Sequence, residues 1–305
     1  MYLVPDKFKN FMLELHNDKG QTWLDQLPTI LARCEQRWQI TILPPFDNIS
    51  FHYVTPALRS DGAPVVLKAF SPTNELPQAV EAQLLFAGHG MANVLEYDEQ
   101  DRVMLLEQLR PGTTLVDMVP DQDERATSIL ASVIRQLRRP APEPHNFREL
   151  ESWTSGLNRL HDFYGGYGPF PPKLADEAMS LFTDLWASTK ERVLLHADLH
   201  HENVLASGAN SWQSIDPKGI VGDPVYETST LLYNPQPQLI KAPNPRRLLA
   251  RRIDQLSEEL GYDRARIRNW GLAQSVLSVW WGVEDGGQIW DDTLATAELL
   301  ATIKA

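Results

Sequence analysis

The sequence predicts an α+β fold in two lobes, a small antiparallel β-sheet lobe followed by a mostly helical one. Three observations predict it. Residues 39–109 carry short β-branched and aromatic runs broken by turn signals, with one helical stretch among them. From about residue 113 the apolar residues recur at helical spacing. Between the two textures, Arg110-Pro111-Gly112 interrupts both periods. The expected division is a first lobe over 1–106, which includes a helical extension over 1–38, a hinge over 107–112, and a second lobe over 113–305.

In the extension, Phe8, Phe11, Met12 and Leu15 line one helical face, and Leu24, Leu27, Leu31 and Trp38 line another, with Asp18-Lys19-Gly20 as the turn between them. Gln39 to Leu43, Ile49 to Thr55 and Pro64 to Phe70 read as three strands. Glu75 to Gly88 reads as a helix on which Leu76, Val80, Leu84 and Leu85 share a face, and Gly88 or Gly90 stops it. Val94 to Tyr97 and Arg102 to Leu106 read as two further strands joined by a loop over 98–101.

In the second lobe, Glu124 to Arg138, Phe147 to Phe163, Lys173 to Lys190, Pro245 to Gly261 and Asp263 to Trp281 have helical spacing. The exception is 192–226. There Val193 to Leu195, Val204 to Ala206 and Trp212 to Ile215 are strand-like pieces between polar loops. Loops held by a rigid scaffold carry function more often than other segments.

Composition narrows the class. The chain has 305 residues, 43% apolar and 22% charged, which is ordinary globular usage and argues against collagen, coiled coil or disorder. Forty acidic against 28 basic residues give a formal charge of −12. Phosphate contacts need a surplus of cations, so nucleic acid is not an expected partner, and a small or cationic partner is mildly favoured. Cys34 is the only cysteine, which rules out an intrachain disulfide and a thiolate zinc cage and leaves it as a buried apolar filler. The first fifteen residues include Asp6, Lys7, Lys9 and Glu14, unlike a signal peptide, and no window approaches 18 apolar residues. The expectation is a cytoplasmic protein with no membrane partner; its oligomeric state stays open.

The chemistry concentrates in Leu194-Leu-His196-Ala-Asp198-Leu-His-His-Glu-Asn203-Val-Leu, followed by Ser214-Ile-Asp216-Pro-Lys-Gly219. Phosphoryl transfer from a nucleotide needs a group that orients and accepts a proton from the attacking hydroxyl. It also needs oxygen ligands for Mg²⁺. An Asp, an Asn five residues on and a second Asp after a hairpin supply such a set. The apolar Val204-Leu205 would anchor the loop.

His-x-Asp-x-x-x-x-Asn followed by Ile-Asp resembles the catalytic and metal-binding loops of the protein-kinase-like fold. With His-Ala-Asp-Leu-His and Gly222-Asp223-Pro224-x-Tyr226-Glu227 it resembles the aminoglycoside phosphotransferases. Ile-Asp-Pro-Lys-Gly-x-x-Gly-Asp-Pro resembles the branch that contains streptomycin and hydroxyurea phosphotransferases. The resemblance runs from about Trp23 to Gly286 and is strongest over 194–227.

The resemblance implies a bilobal protein-kinase-like fold and an ATP- and Mg²⁺-dependent transfer to a hydroxylated small acceptor, either a streptomycin-type aminoglycoside or hydroxyurea. The alternatives are a kinase of an endogenous sugar or amino alcohol, and a catalytically silent kinase-like binding module. Asp198 is implied as the catalytic base, and Asn203 and Asp216 as Mg²⁺ ligands. Pro217-Lys218 replaces the Phe of Asp-Phe-Gly, so Lys218 could face either the phosphates or the acceptor. Val65-Val-Leu-Lys68 resembles the third-strand Val-Ala-Ile-Lys, which makes Lys68 the phosphate-pairing lysine. Glu81 is its expected ion-pair partner, with Glu75 the fallback. Glu107-Gln108-Leu109 resembles the adenine-binding linker, and Ser50 stands in a polar loop over the phosphates. Asp223 and Glu227 are candidate loop or substrate carboxylates. Trp281, Glu284 and Asp285 join an aromatic face to carboxylates that attract cationic groups.

Plainer roles compete at several positions. His201-Glu202 lacks the second His of His-Glu-x-x-His because position 205 is Leu, so metal ligation by His196, His200 and His201 is not expected, and in the kinase-like reading His196 is structural. Trp280-Trp281 fits a core helix ending in a solvated acidic turn, and Asp291-Asp292 reads as the N-cap of a last helix.

Overall fold

A computed structural model describes residues 2–73, 76–286 and 289–304, without the side chains of 285 and 286. The chain divides into two compact units, Met1–Arg110 and Pro111–Ala305.

The first unit opens with α1 (Asp6–Trp38), which bends at Asn17 (φ 50°, ψ −130°). The expected turn at Asp18-Lys19-Gly20 is instead helical, and the break falls one residue earlier. Gly20 explains the close packing that follows, because a Cβ there would lie 2.3 Å from the Met12 carbonyl oxygen. The halves can therefore pack only with a residue that has no side chain. Phe8, Met12, Trp23, Leu27, Leu31 and Cys34 of α1 share one core with Tyr53, Ala57, Val65, Leu67, Val103 and Leu105. Burial pushes the Cys34 thiol up to about 12, so it behaves as a packed apolar group.

Those sheet residues lie on β2, β3 and β5 of a sheet formed by β1 (Ile40–Ile42), β2 (Tyr53–Arg59), β3 (Pro64–Ala69), β4 (Val94–Asp98) and β5 (Val103–Glu107). Their order is β1-β2-β3-β5-β4, with neighbours antiparallel. The second strand starts and ends later than expected and runs through Pro56. Pro56 is tolerated because its ladder side faces the end of the short β1, where its carbonyl accepts from the Leu43 N–H at 2.9 Å. Between β3 and β4, α2 (Leu76–Phe86) buries Leu76, Ala79, Val80, Gln83 and Phe86. Leu84, expected on that face, is exposed. Gln83 takes the inward position and donates to the Ala92 carbonyl at 3.0 Å.

The second unit holds α3 (Asp123–Leu137), β6 (Arg148–Glu149), α4 (Leu150–Thr154), α5 (Leu160–Tyr164), α6 (Pro172–Ala187), β7 (Val193–Leu195), β8 (Val204–Ala206), β9 (Trp212–Ser214), β10 (Ile220–Gly222), α7 (Pro245–Leu260), α8 (Arg264–Gly286) and α9 (Asp291–Ala301). The single helix expected over 147–163 is broken. Arg148 and Glu149 pair with β10, and a 3-10 turn, Ser155–Arg159, separates α4 from α5. Gly156 sits in that turn where a Cβ would crowd Arg159, Trp281 and Leu277 at 3.3–3.5 Å. β10 itself was not anticipated; it pairs with β6 and β7. Asp291 and Asp292 do not cap α9. They occupy its first turn, with Trp290 at the cap, where a negative charge favours the helix dipole. Among the described residues, no helix is long and apolar enough to cross a membrane.

Candidate active site

The buried β7 delivers the chain to His196, and the β8–β9 hairpin returns it to Asp216. Val204 pairs with Ser214, and the Ile215 N–H donates to the Asn203 carbonyl at 3.0 Å, so Asn203 lies across the hairpin from the residue before Asp216. Asn203 Nδ2 donates to the Asp198 carbonyl at 2.9 Å. That bond fixes the amide and leaves Oδ1 without a hydrogen bond among the described residues. An oxygen presented this way suits a hard cation such as Mg²⁺. The backbones carrying Asp198, Asn203 and Asp216 are thus tied together.

His196 is fully buried, and its Nε2 lies 2.8 Å from the Ile215 carbonyl oxygen. Burial pushes its pKa down to about 3, so it is a neutral imidazole that donates to that carbonyl and welds the two loops. The Lys218 N–H closes a second link to the His196 carbonyl at 2.8 Å.

Asp198 keeps about a third of its side-chain surface, at 32%. Lys218 Nζ lies 3.9 Å from one carboxylate oxygen and His200 Nε2 lies 3.7 Å from the other. Lys218, whose direction was open in the sequence, therefore lies beside Asp198. Ala197 and Asp216 both hold positive φ, 65° and 62°, which non-glycine residues seldom adopt.

Glu227 was expected to hold the loop or meet substrate. It is 5% exposed, and its two oxygens accept the N–H groups of His196 (2.8 Å) and Ala197 (3.0 Å). Burial pushes its pKa up to about 7, those N–H groups oppose the shift, and the charge of Asp198 adds to it. Its oxygens hold the loop that presents Asp198 and are not open to an acceptor. Asp223 is similarly committed: it accepts from the Val225 N–H (3.0 Å), Arg266 Nε (2.6 Å) and Trp270 Nε1 (2.7 Å).

Nothing in the sequence marked a third support. The fully buried Arg252 donates through Nε and Nη2 to Asp123 at the start of α3, and through Nη1 to the Leu231 and Asn234 carbonyls. Its Nη2 lies 3.4 Å from His201 Nε2 in the Asp198 loop. Burial first, then the Arg252 charge, keeps His201 neutral. Among the described residues, no three His, Cys, Asp or Glu side chains form a metal cluster.

In the first unit, Lys68 is buried on β3, opposite Val54 and Met104, with Nζ 4.7 Å from the Phe70 ring centre. Glu81 faces solvent on α2 and makes no ion pair with Lys68, because the inward stripe of that helix falls on 76, 79, 80, 83 and 86. Glu75 lies outside the described residues. Ser50 is exposed in the loop before β2. Glu107 Oε1 accepts both the N–H and Nδ2 of Asn93, at 2.8 and 2.9 Å, which fixes the end of β5. Gln108 Oε1 accepts from Arg110 at 3.3 Å, and Leu109 is buried.

At the far end of α8, Glu284 is held by Arg159 through two bonds of 2.8 and 2.9 Å. Its charge is therefore already matched. Trp281 is half-buried with its ring 5.3 Å from that of Trp153, and Arg148 lies over Trp153 at 5.2 Å. The Asp285 side chain lies outside the described residues.

With this geometry in hand, comparison with known proteins is decisive. A family model for aminoglycoside/hydroxyurea antibiotic resistance kinases matches residues 42–286. A streptomycin 6-kinase of Streptomyces griseus is 32% identical, covering 98% of this chain and 97% of its own length. A hydroxyurea phosphotransferase of Kitasatospora aureofaciens is 28% identical, covering 93% and 81%. Among solved structures, aminoglycoside phosphotransferase APH(4)-Ia with ADP and hygromycin B aligns with a TM-score of 0.61 at 16% identity, over 88% of this chain and 96% of its own. Choline kinase LicA of Streptococcus pneumoniae aligns at 0.64 and 14% identity, over 92% and 100%. The fold is therefore the protein-kinase-like one, and the chain is a small-molecule phosphotransferase. It belongs to the family of aminoglycoside/hydroxyurea antibiotic resistance kinases.

Proposed function

We propose that this kinase transfers the γ-phosphoryl group of ATP, with Mg²⁺, to a hydroxyl of a streptomycin-type aminoglycoside. The observation that carries the reading is the tied set of Asp198, Asn203 and Asp216, in which one carboxylate is about a third exposed and one amide oxygen has no donor among the described residues. Two streptomycin 6-kinases, 32% and 30% identical over nearly the whole chain, support that acceptor. Hydroxyurea is the second reading, favoured by the hydroxyurea phosphotransferase relative.

In this reading the first lobe, 1–106, holds the nucleotide, with 107–112 as the hinge. Lys68 pairs with the phosphates, Ser50 covers them, and backbone groups of Glu107, Gln108 and Leu109 meet the adenine. Asn203 and Asp216 hold Mg²⁺, which when bound neutralises phosphate charge. Asp198 accepts the proton of the acceptor hydroxyl as that oxygen attacks in line, so no phospho-enzyme forms. Lys218 Nζ, 3.9 Å from the Asp198 carboxylate, offers a positive charge that can meet charge on the transferred group.

The test is an ATP-consumption screen over streptomycin, hydroxyurea, small sugars and amino alcohols. Turnover with streptomycin selects the first reading, and with hydroxyurea alone the second. Turnover confined to common metabolites would overturn both.

A further inference from the structure

The face of the first sheet that α2 covers carries a buried cation among apolar side chains. Phe70, Leu76, Ala79, Val80, Met104 and Leu106 form the core there, with Val66 and Val94 packed against it. Side chains two apart on a strand share a face, so Lys68 stands between Val66 and Phe70 on this side of β3. Its cross-strand neighbour is Met104 of the same core. The lysine is 5% exposed and Phe70 is 1% exposed.

The Lys68 ammonium lies over the Phe70 ring, with Nζ 4.7 Å from its centre. The face of an aromatic ring is negative and attracts a cation within about 6 Å, more strongly when the cation is withdrawn from water. The two partners differ in stiffness. A lysine carries its charge on a flexible four-carbon stem. The Phe70 ring, in contrast, is fixed from several directions. The Phe70 N–H donates to the Arg102 carbonyl at 2.9 Å, which extends the ladder past β3. The His52 ring packs on the Phe70 ring at 4.6 Å, tilted by 43°, and His52 Nδ1 accepts the Ser71 N–H at 3.3 Å. A rigid group thus sets the place of a flexible one. A neutral ring also attracts the ammonium without cancelling its charge, and that charge is what a phosphate group meets.

We propose that Phe70 is a positioning residue for the nucleotide, its ring face holding the Lys68 ammonium where that cation meets the phosphates of ATP. The proposal rests on the reading of Lys68 as the phosphate-pairing lysine and adds the side chain that places it.

The test replaces Phe70 in the full chain by phenylalanines bearing one, two and three ring fluorines, which nearly keep its shape and progressively drain the negative face. ATP binding in millimolar Mg²⁺ is measured by calorimetry, and unfolding by tryptophan fluorescence. The expected result is a stepwise loss of ATP affinity, reaching 5-fold or more with three fluorines. Phe70→Leu, which fills the core without a ring face, should lose as much and serves where a fluorinated chain does not fold. In a Lys68→Met background the same fluorines should move neither ATP affinity nor Tm by an amount that grows with their number. A flat series in a protein whose ATP affinity falls on Lys68→Met overturns the proposal and leaves the reading of Lys68 standing. ATP affinity untouched by Lys68→Met overturns both. Affinity that rises with fluorination overturns the positioning role, since the ring would then be holding the lysine away from the nucleotide. Losses of the same size with and without Lys68 mark crowding by fluorine alone and overturn it too.

Discussion

Replacing Glu227 by Gln should make the helical unit more resistant to alkaline conditions and the enzyme worse. Glu227 is buried with its oxygens on the His196 and Ala197 N–H groups. Its pKa rises from 4.5 to about 7, chiefly through burial. Between those values the folded chain keeps a proton that the unfolded chain has lost. Stability therefore falls as pH rises through that window, then levels once both states are ionised. The rise corresponds to roughly 3 kcal/mol. Gln carries no proton to lose. The variant should gain roughly 3 kcal/mol on the unmodified protein between pH 4 and pH 8, while all other titrations cancel in the difference. Denaturant unfolding read by tryptophan fluorescence suits the measurement, because seven of the nine tryptophans lie in the helical unit.

Activity should move the other way. The Gln amide group offers an N–H where one of the two backbone N–H groups needs an acceptor. The Asp198 loop loses one of its ties, and misplacement by about 1 Å can lower turnover on the order of 100-fold. A stability difference that is flat with pH would refute the buried-carboxyl reasoning. Full turnover in the variant would refute the positioning role.

Further expectations follow from the same geometry. Asp198→Asn should lower kcat by about 10²–10⁴-fold while ATP still binds within 2-fold of the unmodified affinity, which single-turnover kinetics and calorimetry separate. Asp216→Ala should weaken ATP binding in millimolar Mg²⁺ and leave binding in EDTA unchanged; equal loss in both buffers would count against its role as a ligand. Arg252→Met leaves Asp123 buried with its main partner gone, and should destabilise the helical unit by about 3–5 kcal/mol. Adding Asp123→Leu should recover much of that loss, and equal damage from the double variant would contradict the pairing.

How much of this was legible depends on where the partners lie in the chain. The long helices and the 64–69 strand follow periodic burial, and a period can be read directly. The Asp198–Asn203–Asp216 set was legible because its members have fixed spacing and unlike side chains. β6 and β10 were not: β6 has two residues inside what read as a helix, and β10 lies among the Gly and Pro turn signals between Pro217 and Pro224. Glu81 was chosen for its distance from Lys68 along the chain, but the rotation of α2 turns it outward. Glu227 was visible as a residue and hidden as a device, since its partners are backbone N–H groups thirty residues away that leave no mark in the sequence. Arg252 is one of four arginines in α7, and only burial distinguishes it from Arg246, Arg247 and Arg251.

These hidden supports share a purpose that follows from backbone energetics. Ala197 and Asp216 hold positive φ at the two loops of the site. Each such residue costs roughly 1–3 kcal/mol, and in isolation the loops would relax. The two Glu227 bonds hold the N–H groups leading into the first strained residue, and such bonds contribute about 0.5–3 kcal/mol each, more as the carboxyl group ionises. The neutral His196 joins the first loop to the residue before the second strained one, through the Ile215 carbonyl. The holding bonds are therefore of the same order as the strain they offset, and Asp198 is presented before any ligand arrives. A preorganised base needs no reorganisation at the moment of reaction. Loosening Glu227 or His196 should consequently lower kcat and leave the nucleotide KM alone. A loss confined to the nucleotide KM would show instead that these ties do not hold Asp198.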